Sequence, residues 1–308
     1  MTRMSPGTGP RARRRSAVGV AVAIAVAAAA AVAAISPSDT EPGPPASGGS
    51  PFVPSVPGRR AVVWAVGDGA DGSDEGRAVA ARIARGPVDR VLYLGDVYDD
   101  GTAEEFATNY ATTYGRLARL TAPISGNHDA RSEATGYDPY WRRTHAVRPP
   151  DWYAFRAGGW TLLGLDSEAP HHPGSAQHRW LVGQLQAPGT CRLAFWHRPR
   201  FSAGTHHGDQ DDMAPLWDAL RGRAAIVVAG HEHDMQRFKP IDGITQFVSG
   251  SGGDDLYALR RDPRLAFGDD RSYGALRLHL RPGAAAHAFI AANGRTLDSG
   301  TVRCRPQD

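Results

Sequence analysis

Cysteine and lysine are almost missing from this 308-residue chain: Cys191 and Cys304 are its only thiols, and Lys239 is its only lysine. Two cysteines limit covalent cross-linking to one bridge. The near-exclusive use of arginine reflects coding bias in a GC-rich genome and carries no functional weight. No internal repeat occurs, and no arginine stripe is interleaved with aromatics. Acid is absent from residues 1–35, which hold Arg3, Arg11, Arg13, Arg14 and Arg15; removing those five charges from the chain's +3 leaves −2 for the rest. A near-neutral body has no electrostatic footprint for a polyanion, so nucleic acid is not an expected partner. Small phosphate esters stay open, because metal ions can supply positive charge locally.

What is present begins with a targeting pattern. A basic run, Arg11 to Arg15, precedes an apolar run from Ala17 to Ile35 that carries an A-x-A pattern at Ala31, Val32 and Ala33, as an export signal does. The run also matches the ~20 residues that span a bilayer. Residues 1–35 are therefore a signal peptide or a membrane anchor, and the membrane is touched only through that segment if it stays uncleaved. Arg13 and Arg14 are followed by residues that fit a twin-arginine signal poorly. Residues 36–58, rich in Pro, Gly and Ser, read as a flexible linker, with a single folded domain over 59–308. In an exported chain Cys191 and Cys304 are expected to pair, with two free thiols as the alternative.

Within that domain short apolar runs have the length and β-branched content of buried strands: AVVWAV from 61, VLYL from 91, TLLGL from 161, LAFW from 193 and AAIVVA from 224. Four of the five end at a potential ligand. Asp68 follows the first, Asp96 the second, His197 the fourth and His231 with His233 the fifth, while the weaker run TAPIS leads to Asn127, His128 and Asp129. Helical spacing at 74–85, 102–120, 175–186 and 213–221 makes a strand and helix alternation, an α/β class. From about residue 244 the alternation shortens, and ALRLHL and AHAFIA flank Pro282 and Gly283 as a hairpin. In such sheets ligands bind beyond the carboxyl ends of the strands, so these scattered residues are expected to converge. Two aspartates, an amide and three histidines suit a pair of hard metal ions, and Asp96 is the candidate to be shared between them.

The blocks GD at 67–68, GDVY at 95–98, GNHD at 126–129, FWHRP around His197 and GHEH at 230–233 resemble those of the calcineurin-like metallophosphoesterases. HRPRFSAGTHHGD, GSGGDDLY and DSGTVRC are similar to the purple acid phosphatase-like and secreted alkaline phosphatase-like branch. The resemblance implies two packed mixed β-sheets flanked by helices, an αββα sandwich. It implies one metal on Asp68, Asp96 and His233, a second on Asp96, Asn127, His197 and His231, and a metal-bridging hydroxide as nucleophile. It places His128 at the scissile group, as phosphate contact or general acid, with Asp129 orienting its ring. It implies a small phosphate-ester substrate: a monoester foremost, a nucleotide or lipid head-group diester as the alternative, and metal binding without turnover as the remaining one.

Two departures stand out. Ala70 replaces the histidine that many members place two residues after the first aspartate, and Tyr98 falls two residues after Asp96 where the phosphatase branch has three. Tyr98, Asp99 or water completes the first metal, and the choice among iron, zinc and manganese stays open with it. His207, and less so His206, is a candidate substrate contact. His171, His172 and His178 read as surface or helix-start residues, Arg198 and Arg237 as supporting charges, and Trp217 as core. The N-terminus predicts that the catalytic domain works outside the cytoplasm. N-terminal sequencing of exported protein would find cleavage near Ala33 or an intact anchor, whereas a functional fusion confined to the cytoplasm in the native host would contradict export.

Overall fold

The sequence pattern of strand-end ligands turns into two sheets in the computed structural model, which describes residues 50–188 and 191–304. The N-terminal signal or anchor and most of the linker lie outside the described residues. No helix among the described residues is long and apolar enough to cross a membrane.

The first sheet holds β1 (Ala61–Val66), β2 (Arg90–Tyr93) and β3 (Thr121–Pro123) in parallel. The second takes β4 (Tyr153–Ala157), β5 (Trp160–Gly164), β6 (Cys191–Phe195), β7 (Ile226–Ala229), β8 (Met235–Phe238), β9 (Thr245–Ser249) and β10 (Leu265–Asp269). The chain then returns to the first sheet with β11 (Gly274–Arg281), β12 (Ala284–Ala291) and β13 (Thr296–Arg303). The orders are β13-β12-β11-β1-β2-β3 and β10-β8-β9-β7-β6-β5-β4. Strands β5, β6, β7 and β9 run parallel, and β4, β8 and β10 are antiparallel to their neighbours. The expected pair of mixed sheets flanked by helices is the architecture found.

The apolar runs became strands because every residue of β2, β6, β7 and β9 is buried; strands covered on both faces read as continuous hydrophobic runs. The sheets are stitched at Ser249, at the end of β9. Its hydroxyl donates to the Ala65 carbonyl at 2.9 Å and accepts the Leu276 N–H at 3.2 Å, while its carbonyl accepts the Gly67 N–H at 2.9 Å. Pro282 and Gly283, with Gly283 at φ +77°, close the β11–β12 hairpin as expected.

Two expectations need correction. The folded body starts no later than Ser50, inside the stretch read as linker: Phe52 and Val53 are core, and the N–H groups of Ser50 and Val56 bond the carbonyls of Ala154 and Arg156 at 3.0 and 2.7 Å. This proline-rich segment covers the edge strand β4, which would otherwise present an unpaired ladder. The expected helix 102–120 is broken into Ala103–Glu105, a π turn at Phe106–Tyr110, Ala111–Thr113 and the 3-10 turn Gly115–Leu120. Phe106, Tyr110 and Tyr114 all bury there among Tyr93, Tyr140 and Trp141, so aromatic packing sets the local pitch. Trp217 is buried as expected, and its indole N–H donates to Asp242 at 3.0 Å.

Cys191 and Cys304 form a disulfide, with Cα atoms 5.7 Å apart and a sequence separation of 113 residues. Cys191 opens β6 and Cys304 follows β13, so the bond ties an edge of the first sheet to the middle of the second, at the end of β6 away from His197. For a loop of this length chain entropy favours the bonded form by up to ~4.7 kcal/mol. Reduction should therefore lower the unfolding temperature on the order of 10 °C while turnover of the still-folded protein stays within about twofold; calorimetry with and without reductant checks the first, and an equal loss of turnover would show that the bond shapes the site.

Candidate metal centre

Strands β1, β2, β3 and β7 each lead into a glycine-led turn, at Gly67, Gly95, Gly126 and Gly230, that throws a polar side chain into the seam between the sheets, while β6 delivers His197 directly after Trp196. Asp68, Asp96 and His231 sit at φ +57°, +68° and +70°, the left-handed region that costs a non-glycine residue on the order of 1 kcal/mol or more. The preceding glycines let the turns approach. A Cβ on Gly95 would stand 2.8 Å from His197 Nδ1, and one on Gly230 would stand 2.6 Å from an Asp68 oxygen. That oxygen also accepts the His231 N–H at 2.9 Å.

The six expected ligands converge. His197 turns Nδ1 to the Leu94 carbonyl at 2.7 Å, so an N–H lies there and its Nε2 faces inward. Around that Nε2 lie Asn127 Oδ1 at 3.0 Å, His231 Nδ1 at 3.1 Å and Asp96 Oδ2 at 3.3 Å. The ligand atoms of Asp96, His197 and His231 lie within 4.8 Å of one another. On the other side of Asp96, the Tyr98 hydroxyl lies 3.4 Å from Asp96 Oδ2, 3.2 Å from Asp68 Oδ1 and 2.9 Å from His233 Nε2. His233 is oriented the same way as His197, with Nδ1 2.7 Å from the Asp255 carbonyl. Tyr98 thus reaches the first group despite its short spacing, and the Asp99 side chain is exposed.

The donor set fits a cation. A neutral His197 would aim a lone pair at a carboxylate and an amide oxygen, an arrangement that demands positive charge at its centre. Burial opposes a charge on the ring, but Asp96 outweighs it and holds the imidazole up to about 10. Burial likewise pushes Asp96 up, and His197 more than offsets this, leaving it at about 2. Asp68, desolvated completely, rises well above the usual carboxylate range. His231 Nε2 is buried with no hydrogen-bond partner.

His128 borders this cluster, with Nε2 4.0 Å from Asp96 Oδ2 and its ring edge-on to Tyr98. Its Nδ1 meets the backbone carbonyl of Asp99. Asp129 does not orient that ring, contrary to expectation. Its carboxylate accepts the N–H groups of Asp96, Val97 and Gly126 at 2.8, 3.1 and 3.0 Å, joining the turn that carries Asp96 to the one that carries Asn127.

Above the histidines lies a wall of rings. His207 stacks on His231 at 3.8 Å, Tyr257 stacks on His233 at 3.9 Å, and His206 stacks on Tyr257 at 4.2 Å. Desolvation, then the charge of His206, draws His207 down to about 4, so it presents a neutral ring. Arg198 and Arg237 are supporting charges, paired with both oxygens of Glu168 and Asp298 respectively. The sequence reading did not single out Tyr257, the Asp99 carbonyl or Glu232. Only Glu232 carried a signal, an acid enclosed by two ligand histidines.

Residues 62–235 match the calcineurin-like phosphoesterase family over more than half of the chain. This chain belongs to the calcineurin-like phosphoesterase family. The chain is 27% identical to purple acid phosphatase 21 of Arabidopsis thaliana in an alignment of 221 positions that covers 61% of this chain and 51% of that one. The chain spans about half the length of the curated relatives it matches. A purple acid phosphatase from yellow lupin seeds shares its fold with a TM-score of 0.60 at 16% identity, over 79% of this chain and 54% of that one. GAP50, the anchor in the inner membrane complex of Plasmodium, does so with 0.67 at 14% identity, over 82% and 91%.

Asp129→Asn puts an amide N–H against the Val97 N–H or against those of Asp96 and Gly126, so it should loosen the Asp96 and Asn127 turns and lower bound metal several-fold. His128→Ala should leave metal content unchanged. Metal analysis of both variants separates the roles; full metal occupancy in Asp129→Asn would show that these three hydrogen bonds are dispensable.

Proposed function

We propose that this phosphoesterase hydrolyses small phosphate monoesters at a two-metal centre outside the cytoplasm. The observation that carries the reading is the shared position of Asp96, whose carboxylate lies between the group of Asn127, His197 and His231 and the group of Asp68, Tyr98 and His233. The likeness to purple acid phosphatases supports a monoester, and the disulfide supports export. Two cations held there would supply Lewis-acid charge to the phosphoryl oxygens and acidify a water for in-line attack.

The chain's own residues do the remainder. The Asp99 carbonyl fixes the proton of His128 on Nδ1, which leaves Nε2 as the atom that delivers a second proton from the imidazolium to the departing ester oxygen. His207, neutral and stacked on His231, offers a hydrogen bond to a phosphoryl oxygen. With cations bound, Asn127 and the inward nitrogens of His197, His231 and His233 would complete the two ligand groups as neutral donors, so the negative charge offered to the metals would come from Asp68 and Asp96.

A chromogenic monoester should be cleaved faster than the matching diester, and chelation should abolish both activities. A faster diester would overturn the monoester preference, and full activity after chelation would overturn the metal-dependent reading. His128→Ala should lower turnover of a substrate with a poor leaving group by ~10² to 10⁴; unchanged turnover would remove its role as acid.

A further inference from the structure

Glu232 lies between two ligand histidines and is fully buried, yet its carboxylate points away from the ligand cluster towards the loop that carries His206 and His207. Its Oε1 accepts the N–H of His207 at 2.9 Å and the N–H of Gly208 at 2.6 Å. The loop has been carved to receive it: a Cβ on Gly204 would lie 2.1 Å from Oε2 and 2.2 Å from the carboxyl carbon. The base of the loop is held elsewhere, by Thr205 N–H to the Ala258 carbonyl and by Ser202 N–H to Asp209. At its tip the backbone donors of His207 and Gly208 meet Glu232, and the His207 ring lies flat on His231.

We infer that Glu232 is a positioning residue, a latch that fixes the tip of this loop to the His231–His233 turn so that His207 is held over the metal centre. A buried carboxylate costs several kcal/mol without compensation, so a residue needed only for packing here would be apolar. Its Oε2 is buried without a hydrogen-bond partner, so its compensation rests on the two charge-assisted hydrogen bonds that Oε1 accepts from backbone N–H groups, both made at the loop tip. The turn that ligates metal and the loop that meets substrate are thereby set in one frame. Misplacement by about 1 Å of a group that orients substrate costs up to ~10²-fold.

The inference rests on the phosphoesterase reading only where His207 faces substrate, and amide exchange tests the latch without that assumption. In metal-loaded full-length protein, Glu232→Ala should speed exchange in the peptide holding His207 and Gly208 by at least about tenfold. Glu232→Gln, which keeps an acceptor oxygen, should stay within about threefold of the native protein. Gly204→Ala, which displaces the carboxylate from the loop side and leaves the metal turn untouched, should behave as Glu232→Ala does and decides the matter should that variant fail to fold. On a chromogenic monoester, Glu232→Ala should lower kcat/KM by about 10- to 100-fold, with Glu232→Gln rescuing most of it. His207→Ala should then cost little further in the Glu232→Ala background, as coupled sites require. Native exchange at the tip in both Glu232→Ala and Gly204→Ala overturns the latch. Fast exchange with fully additive kinetic losses overturns the coupling to His207, whereas a lack of effect of His207→Ala alone would count against His207 as a substrate contact and leave the latch standing on exchange.

Discussion

Asp96 is a carboxylate sealed into the seam between two sheets, and the geometry of the whole centre follows from keeping it there. Its backbone is left-handed, its oxygens face the rings of His197 and His128 and the hydroxyl of Tyr98, and its own N–H is held by Asp129. A charge this deeply desolvated is tolerable only beside opposite charge. The sheets deliver such partners because β1, β2 and β3 on one side and β6 and β7 on the other all end at the same seam. The glycines before Asp68, Asp96 and His231 are the steric condition for that meeting, and the strain of three left-handed residues persists because the hydrogen bonds on either side over-determine the turns.

Much of this was legible in the sequence, for a physical reason. Strands buried on both faces must be apolar throughout, so a polar residue just after such a run is conspicuous, and Asp68, Asp96, His197, His231 and His233 were all found that way. The fold class followed from the same alternation. What could not be read was whatever depended on backbone atoms or on cross-chain packing. The partner of His128 is a carbonyl, which any residue at position 99 could supply, while the residue that looked like its partner, Asp129, spends its oxygens on the backbone of two turns. Segment 50–56 looked like linker because its composition cannot build a core alone; it adds Phe52 and Val53 to a core built by others. The helix 102–120 had the right period, and the interlock of Tyr93, Tyr110, Tyr114 and Trp141 reset it.

Tyr98 shows the same divide. Counting residues from Asp96 placed its hydroxyl in doubt, because spacing along a loop says little about where a side chain of that length arrives. In three dimensions the loop is pulled in by side chains further on: Glu105 accepts the N–H groups of Asp99 and Asp100 at 2.6 and 3.1 Å, and Asn109 donates to the Tyr98 carbonyl at 2.7 Å. These contacts come from the broken helical segment, so the aromatic cluster that disturbs its regular pitch also presents the residues that position the tyrosine. Packing behind the site and chemistry within it are thus one problem in this fold.

Around the centre the acids are unevenly treated. Asp96 is held near 2, whereas Asp129, satisfied by neutral N–H groups, is driven by burial and then by Asp96 to about 8, and Asp68 and Asp234 also rise. A group whose folded pKa exceeds its unfolded value contributes stability that is fully present below the unfolded pKa and is lost as pH rises through the folded one. For Asp129 that loss runs from the ordinary carboxylate range to about 8, so near neutrality the folded chain bears part of the cost of an unpaired buried acid. Positive charge bound beside Asp68 and Asp96 opposes that cost, and anything that binds the folded chain alone stabilises it by mass action. The seam is therefore poor as a structural core and well made as a cation site: the desolvated carboxylates that weaken the bare fold are the source of its affinity for metal.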